Sequence, residues 1–337
     1  MITVLLAAWQ GAAYIEEQLD SILNQTIENG TKESGQEHVI RIVVSDDGST
    51  DGTREILAKY EREYPGRVIL NHRSEERRAK DSADGIPAAA GNFFWLLSQA
   101  EGEYFMLSDQ DDVWKENKVE RLLKRMQELE AQHGADYPLL VHSDMEVVDA
   151  NLKMIHPSFF QYQKCDPSRV TFSELLVENS VTGGAVMMNR ALLALLKERP
   201  AACFMHDWWI ALAASCFGTI ACVKEPLYLY RQHGNNTLGA KETGSVKEVT
   251  ERLGRTEQVS ENYNRMAAQA HAFGKMYGER MSEKQKATLR AYLALRYQSP
   301  AGRFKNIMKN RFFKSSKIQT LAQCVTIPRP DGGNWPI

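Results

Sequence analysis

The sequence has few cysteines, and none of them forms a metal-binding or disulfide pattern. Its 337 residues include five cysteines, which are scattered and contain no Cys-x-x-Cys pair. Disulfide-stapled and zinc-ribbon proteins depend on close cysteine spacings, so neither class is predicted. A reducing, cytoplasmic compartment is therefore the default expectation.

A long apolar run, a basic leader and a strong net charge are also missing. The longest uncharged run, Trp208 to Val223, is shorter than a membrane span and contains Gly218 near its middle. We expect a buried helix, a turn at Gly218 and then a strand. The first eight residues show no leader or cleavage pattern, so no signal peptide is expected. A net charge of −2 gives no reason to expect nucleic-acid binding.

Three carboxylates follow directly after an apolar run in the middle of the chain. Asp109, Asp111 and Asp112 come after Tyr104–Ser108. Clustered acids at the end of a buried strand are costly unless a cation lies among them. Mg²⁺ takes oxygen ligands and often shares its coordination with substrate phosphates. The hypothesis is a site for a metal and a diphosphate. The alternative is an acidic surface turn that caps a helix starting near Lys115.

Strands and helices alternate over the first 132 residues. Strands are expected at Thr3–Ala8, Ile40–Val44, Val68–Leu70 and Tyr104–Leu107. Helices are expected at Tyr14–Gln25, Arg54–Tyr64, Ala88–Ala100 and Lys115–Gln132, with exposed loops at 28–38 and 72–87. This order predicts a mostly parallel sheet covered by helices on both faces. Because ligands bind beyond the carboxyl ends of such strands, acids there should face one crevice.

The pattern changes after residue 137. Short strands are expected at 139–142, 146–148, 185–188, 219–223 and 227–230. Two helices, Glu257–Tyr277 and Glu283–Tyr297, are the better candidates beyond residue 240.

A second acid pair, Asp46 and Asp47, ends the second strand. A carboxylate there can accept hydrogen bonds from ribose hydroxyls or a pyrimidine N–H. The alternative is turn chemistry, because Asp-Gly followed by Ser and Thr favours a turn and a helix start. Gly91-Asn92 could place backbone N–H groups near a phosphate, or could serve helix packing alone. The basic segment 73–80 could fold over a diphosphate, although a solvated loop is favoured.

Taken in order, these motifs resemble the family 2 inverting glycosyltransferases with the GT-A fold. The resemblance covers about residues 1–235 and depends on Ser45–Thr53, Asp109–Asp112, Gly183-Gly184 and His206–Trp208. The Asp-Gln-Asp-Asp form and the segment 230–236 most resemble the rhamnosyltransferase-like branch that builds bacterial surface polysaccharides. The chain lacks the Gln-x-x-Arg-Trp motif of processive synthases.

The resemblance implies a fold and a division into parts. The fold would be α/β, a Rossmann-like mixed sheet flanked by helices. A catalytic domain would span residues 1–238, with a nucleotide-sugar half at 1–114 and an acceptor half at 115–238. A helical extension would follow at 239–337.

The resemblance also implies a role for each site residue. Donor-binding positions would be Ala8, Asp46, Asp47, Asn92, Asp109, Asp111 and Asp112. Asp109 and Asp111 would hold Mg²⁺ or Mn²⁺, His233 would approach the metal or diphosphate, and Asp112 would touch metal or donor sugar. Asp207 would be the general base, which an attacking hydroxyl needs. Its alternative role is N-cap of a helix beginning at Trp208.

Further expectations concern the ligands. The first donor candidate is dTDP-rhamnose and the second is a UDP-hexose, with a polyprenyl-linked or other surface glycan as acceptor. His206 and Trp208 are expected to support the site, and Trp208 or Trp209 could stack on acceptor sugar. A sugar nucleotidyltransferase is disfavoured because Ala7–Gly11 lacks a glycine-rich basic loop. A non-catalytic nucleotide-binding or scaffold protein is the other alternative.

The segment from Arg296 to Lys317 contains seven basic residues and no acidic ones. Aromatic and aliphatic residues are interleaved with them. Such a segment can lie on an anionic membrane surface, which would be the inner face of the plasma membrane here. The alternative is a basic helix that packs on the catalytic domain or on a partner.

Overall fold

The structure, a computed structural model, describes residues 1–27, 39–234 and 256–329. Three sequence predictions therefore lie outside the described residues: the loop at 28–38, Asn235-Asn236 and the domain boundary at 238/239. No helix among the described residues is both long and apolar enough to cross a membrane.

The described strands form one mixed sheet. Its order is β3-β2-β1-β4-β8-β6-β9-β5, and β7 pairs with β6 at the side. The first four strands in this order run parallel, whereas β8 is antiparallel to both of its neighbours. The strands are β1 Ile2–Ala8, β2 Ile40–Asp46, β3 Val68–Leu70, β4 Tyr104–Asp109, β5 Val113–Trp114, β6 Leu139–Val148, β7 Met154–His156, β8 Val186–Asn189 and β9 Thr219–Arg231. The predicted mixed α/β sheet is confirmed.

Helices cover both faces of the sheet and bury two apolar cores. One core lies around α1 and α5, and the other around α4 and α9. The helices of the first 234 residues are α1 Ile15–Leu23, α2 Thr53–Glu63, α3 Glu75–Ala83, α4 Ala88–Gln99, α5 Lys118–His133, α6 Phe159–Tyr162, α7 Phe172–Leu175, α8 Arg190–Leu195 and α9 His206–Phe217. The helix, turn and strand predicted around Gly218 are present.

The described C-terminal helices pack onto the second core. They are α10 Thr256–Tyr277, α11 Glu283–Ala294, α12 Pro300–Asn310 and α13 Lys317–Thr326. Phe273 of α10 is fully buried, and its ring lies 5.3 Å from that of Trp209 and 5.7 Å from that of Phe172. The described C-terminal helices therefore share an apolar core with α7 and α9.

Two local predictions were wrong. Residues 72–87 contain a helix, α3, where a loop was predicted. Ser74 caps this helix by accepting a hydrogen bond from the Arg77 N–H. Glu75 and Glu76 lie in its first turn, where negative charge stabilises a helix. The pairs of short strands predicted around residues 139–148 and 219–230 are two continuous strands, because β6 and β9 accommodate register shifts without separating.

Candidate active site

The two acid pairs lie at the same edge of the sheet. In the register of the parallel strands, Ala8 of β1 is opposite Asp46 of β2, and Ala7 is opposite Asp109 of β4. The carboxyl ends of the three strands therefore open into one crevice, as the alternation of strands and helices predicts.

Asp112 is buried at the base of the crevice, and Asp109 beside it is half-buried. Burial, together with the neighbouring Asp111 and Asp207, raises the pKa of Asp109 to about 7. Burial, together with Asp111 and Asp109, raises the pKa of Asp112 well above its ordinary value. Within the described part of the chain, Oδ2 of Asp112 has no hydrogen-bond partner. The cluster therefore has the electrostatic character of a cation site.

Lys118 places a fully buried ammonium group beside this cluster. Its Nζ donates a hydrogen bond to the Gly184 carbonyl oxygen at 2.6 Å. It also lies 3.7 Å from the ring centroid of Trp114 and 4.1 Å from that of Tyr228. Burial lowers the pKa of Lys118 well below its ordinary value, and the nearby Asp112 and Asp109 oppose that fall. Lys118 thus joins the acid motif to the Gly183-Gly184 turn, and its positive charge depends on the carboxylates beside it.

Arg231, at the end of β9, connects the acid motif with helix α1. Its backbone N–H donates to Asp112 Oδ1 at 3.2 Å, and its guanidinium donates to the Asp111 carbonyl oxygen at 2.7 Å. The same guanidinium pairs with Glu17 and lies over the ring of Tyr14. These contacts fix the backbone on which the acid side chains stand.

His233 lies against the acid motif, as the sequence resemblance implies. Its Nε2 is 2.7 Å from Asp111 Oδ2, and its ring stacks on Tyr14 at a centroid distance of 4.9 Å. Among the described residues, no three His, Cys, Asp or Glu side chains form a ready metal-binding group. A divalent cation here would have to complete its coordination with diphosphate oxygens and water, which suits Mg²⁺.

Asp207 lies in the first turn of α9, and its negative charge contributes to the raised pKa of Asp109. Burial raises its pKa to about 6, although the Trp208 and Gly183 backbone N–H groups oppose the rise. The Trp208 N–H donates to Asp207 Oδ1 at 2.6 Å. The N-cap position belongs to Met205, so the predicted N-cap role of Asp207 was wrong. Gly183 is required here, because a Cβ would lie 2.8 Å from His206 Nε2.

Asp46 and Asp47 have different surroundings. Oδ2 of Asp46 accepts from the Gly48 and Ser49 N–H groups and from Arg54 Nε at 2.8 Å, which favours its charged form. Its side chain therefore stabilises the turn. Burial raises the pKa of Asp47, whose Oδ1 lies 3.5 Å from Arg73 Nη2 and has no hydrogen bond within the described ranges. Asp47 is therefore the carboxylate that its own turn leaves without a hydrogen bond at Oδ1, which faces Arg73.

Ala8 and Asn92 hold the strand ends in place. The Ala8 carbonyl accepts from the Asp47 N–H at 2.8 Å, and Asn92 Nδ2 donates to the Ser45 carbonyl at 2.9 Å. Asn92 is buried in the second turn of α4, so it is not at the helix start where its neighbour's N–H would face a phosphate. The Gly91 N–H is already bonded to the Pro87 carbonyl.

The aromatic residues near Asp207 belong to the core. Trp209 is fully buried, and Trp208 is buried with its Nε1 donating to the Leu175 carbonyl at 2.5 Å. The prediction that either one stacks on acceptor sugar was wrong, because both rings face inward. The buried ring of His206 stacks on Phe93, and burial lowers its pKa to about 3.

Three residues of the crevice were missed or given no role by sequence reasoning. Lys118 appeared to be an ordinary basic residue of an amphipathic helix, and Arg231 was part of a motif without an assigned contact. Trp9 is 60% exposed at the crevice edge, where its backbone is held by both ends of the Gln110 side chain. The sequence signal for Trp9 was its position in a turn directly after a buried strand.

The fold and this crevice define an enzyme that transfers sugar residues. The family model for glycosyl transferase family 2 matches residues 3–194, and the chain belongs to that family. A dTDP-rhamnosyl transferase, RfbG, from Shigella flexneri is 26% identical over 260 residues, covering 74% of this chain and 78% of that protein. A putative teichuronic acid biosynthesis glycosyltransferase, TuaG, from Bacillus subtilis is 28% identical over 190 residues, covering 56% and 61%.

Solved structures are similar at low identity. Residues 1–349 of S. aureus TarS in complex with UDP-GlcNAc show a TM-score of 0.49 and 16% identity, covering 92% of this chain and 90% of that one. The mannosyltransferase PcManGT from Pyrobaculum calidifontis, in complex with GDP-Man and Mn²⁺, gives 0.48 and 17%, covering 96% and 85%.

Proposed function

We propose that this glycosyltransferase is a metal-dependent inverting enzyme that moves rhamnose from dTDP-rhamnose to a hydroxyl of a growing, lipid-linked surface polysaccharide. The observation that carries the proposal is the crevice itself, in which the acid cluster at Asp109–Asp112 lies near a separate carboxylate, Asp207. The relative named as a dTDP-rhamnosyl transferase supports the choice of donor.

Asp109 and Asp111, with His233 beside them, are the residues that would hold Mg²⁺ or Mn²⁺. Their fit to a hard cation follows from the oxygen-rich donor set and from the raised pKa of Asp109, which marks uncompensated negative charge. The cation would neutralise the charge that develops on the leaving diphosphate. Asp112, held by the Arg231 N–H, would contact either the metal or the donor sugar.

Asp207 would take the proton from the acceptor hydroxyl. A carboxylate with a pKa of about 6 is a stronger base than an ordinary aspartate and is still mostly ionised at neutral pH. Attack from the face opposite the leaving group needs one such base and inverts the anomeric centre. The N–H groups of Gly183 and Trp208 hold this carboxylate in place.

The nucleoside would lie at the ends of β1 and β2. Asp47 offers a carboxylate oxygen without a hydrogen bond, and the exposed ring of Trp9 offers a surface on which a base can stack. Asp46, Ala8 and Asn92 would act by shaping this end of the crevice, since Asp46 binds Arg54, the Ala8 carbonyl accepts from the Asp47 N–H and Asn92 Nδ2 donates to the Ser45 carbonyl.

A donor screen tests the proposal. Thermal-shift measurements with Mn²⁺ and dTDP-rhamnose, UDP-hexoses and GDP-hexoses should show stabilisation by one nucleotide sugar that disappears in Asp111→Asn. Stabilisation by a UDP-hexose instead would keep the mechanism and replace the donor. No stabilisation by any donor with metal would refute the proposal.

A transfer assay then separates an enzyme from a binding protein. Asp207→Asn should retain donor binding and lose transfer by a factor of at least about 100, because general-base catalysis contributes about that much. Full transfer by this variant would remove Asp207 from the mechanism. Donor binding without transfer by the wild-type protein to any lipid-linked glycan would favour the scaffold alternative.

Membrane association through the C-terminal helices is part of the proposal. Phe304 and Met308 of α12 are about half exposed, and Lys305 and Lys309 beside them are exposed as well. Ile318, Leu321 and Val325 form an exposed apolar row on α13. Apolar side chains flanked by lysines fit an anionic bilayer surface, where the lipid-linked acceptor would reside.

Not all of the basic segment can take part. Arg303 is buried and donates to the Leu295 and Cys324 carbonyls, and Arg296, Ile307 and Phe312 are buried too. Co-sedimentation with anionic liposomes should therefore weaken in Phe304→Ser/Met308→Ser. The matched control is Met154→Ser/Ile155→Ser, an exposed apolar pair on β7. Equal binding by both double variants would refute the membrane surface.

A further inference from the structure

A cavity of about 340 Å³ lies on the side of α4 that faces away from the sheet. The cavity is lined on this side by Gly91, Trp95 and Ser98, which follow one another at helical spacing. Phe93 and Leu97 of the same helix pack into the core. Helix α3 and the residues after α8 close the other walls. The acid crevice and this cavity therefore lie on different sides of α4.

The walls of the cavity carry a marked excess of positive charge. One acidic side chain, Asp81, faces five basic ones: Arg73, Arg77, Lys80, Lys197 and Arg199. Asp81 is paired with Arg199 at 3.1 Å and with Arg73 at 3.5 Å, and Asp84 beside the cavity also pairs with Arg199. Lys80 is exposed at the rim, where the Nζ of Lys197 donates to the Ala100 carbonyl oxygen at 2.6 Å. The positive charge of the walls is thus only partly balanced by the protein.

Several buried donors at this cavity have no acceptor in the described portion of the protein. Arg73 is only 4% exposed, yet its Nε and Nη1 make no hydrogen bond. Arg199 Nη1 and Trp95 Nε1 are buried and unbonded as well. A buried donor without an acceptor costs about 1–3 kcal/mol, and more when it is charged. Such donors indicate a polar acceptor that is supplied from outside.

We infer that this cavity binds a small molecule bearing a phosphate group, separately from the donor nucleotide. Guanidinium groups donate two parallel hydrogen bonds to phosphate oxygens, and Arg73 and Arg199 both present unused N–H groups. A volume of about 340 Å³ exceeds that of one phosphate and lies in the range of small-ligand pockets, so a phosphate ester fits better than the free ion. The ring of Trp95, with Arg77 stacked 4.3 Å from its centroid, gives the organic part a surface.

The cavity adjoins the donor crevice through one residue. Arg73 lies between Asp81 at the cavity and Asp47 at the end of β2, at 3.5 Å from each carboxylate. Gly91 makes this possible, because a Cβ there would lie 2.6 Å from Asp81 Oδ2 and 3.0 Å from Arg73 Nη1. A phosphate group bound to Arg73 would therefore compete with the Asp47 carboxylate for the Arg73 guanidinium.

Titration calorimetry on the full chain, with EDTA present and ionic strength held constant with chloride, tests the inference. Glucose 1-phosphate should bind more tightly than inorganic phosphate. Lys80→Gln/Lys197→Gln should weaken both by about tenfold or more, because charge-assisted contacts are lost. Arg77→Gln, which alters an exposed side chain, should weaken the ester as well. The matched control, Lys305→Gln/Lys309→Gln, should bind like the wild type.

Two results would overturn the inference. The first is the absence of binding by both probes, or equal affinity in the cavity variant and the control. The second is tighter phosphate binding in Asp111→Asn with no change in the cavity variant, which would place the anion in the acid crevice, because without metal the Asp111 carboxylate repels it. Because the metal-free assay does not need the donor, failure here would leave the proposed transfer reaction untouched.

Discussion

The buried ammonium group of Lys118 offers the sharpest test of how the acid cluster is stabilised. Replacing it with methionine keeps the length of the side chain and its contact with Trp114 and Tyr228, but removes the charge. Asp109 and Asp112 then lose their buried counter-charge, and the Gly184 carbonyl loses its hydrogen bond.

The magnitude follows from removing one member of a buried charge cluster. Such a change costs about 3–5 kcal/mol, whereas loss of a partly exposed ion pair costs about 1 kcal/mol or less. Lys115→Met is the matched control, because Lys115 lies three residues away and pairs with Glu146 at 2.6 Å while remaining partly exposed. Urea unfolding of the metal-free proteins at pH 8 should show this difference in the free energy of unfolding.

Two further measurements separate the charge from mere packing. At pH 5 the carboxyl groups of Lys118→Met can take up protons, so its deficit relative to the wild type should shrink. Asp112→Asn should cost less in the Lys118→Met background than alone, with a coupling energy of about 0.5–3 kcal/mol. If Lys118→Met costs no more than Lys115→Met at pH 8, the reasoning about the buried counter-charge is refuted.

Three other predictions concern titration, ligand binding and packing. Because Asp109 and Asp207 have pKa values of about 7 and 6, these two groups bind more protons in the folded protein than in the unfolded chain above about pH 4. The free energy of unfolding without metal should therefore fall as pH rises from about 4 to 7, by at most about 1.4 kcal/mol per pH unit for each proton. If Asp109→Asn and Asp207→Asn leave this slope unchanged, the raised pKa values are wrongly assigned to these two residues. Trp9→Ala should weaken binding of the donor's nucleoside diphosphate by about tenfold in calorimetry without lowering Tm, and unchanged affinity would exclude stacking. Phe273→Ala should cost about 3–5 kcal/mol in urea unfolding, while Phe304→Ala on the surface should cost less than about 0.5 kcal/mol; similar costs would contradict the packing described for the extension.

Much of the sheet was predictable because its signals are local. Apolar strands such as Ile2–Ala8 and Ile40–Asp46 are marked by composition, and the acids follow directly in the chain. Parallel strands separated by helices bring their carboxyl ends to one edge, so Asp46, Asp47 and Asp109 were expected together. Helix α3 was missed because its stability depends on a cap and on ion pairs rather than on an apolar periodicity.

The partners of the charged groups were decided by contacts between distant parts of the chain. Lys118 meets the Gly184 carbonyl across 66 residues, and the Arg231 N–H meets Asp112 across 119. No local pattern shows that Arg73 is buried between two carboxylates, or that Trp208 and Trp209 face the core. These arrangements arise only when the strands and helices pack together.

The sequence by itself determined which carboxylates could bind a ligand or act as a base. They are the three acids after β4, the pair Asp46 and Asp47, and Asp207 at the start of an apolar helix. Tertiary structure decided which of them remain available to a ligand. Asp46 is occupied by its own turn and Arg54, whereas Asp47 keeps an unbonded oxygen, although the two are neighbours in the chain. The physical reason is that hydrogen bonding and burial, which set the charge and the availability of a carboxylate, depend on what packs against it.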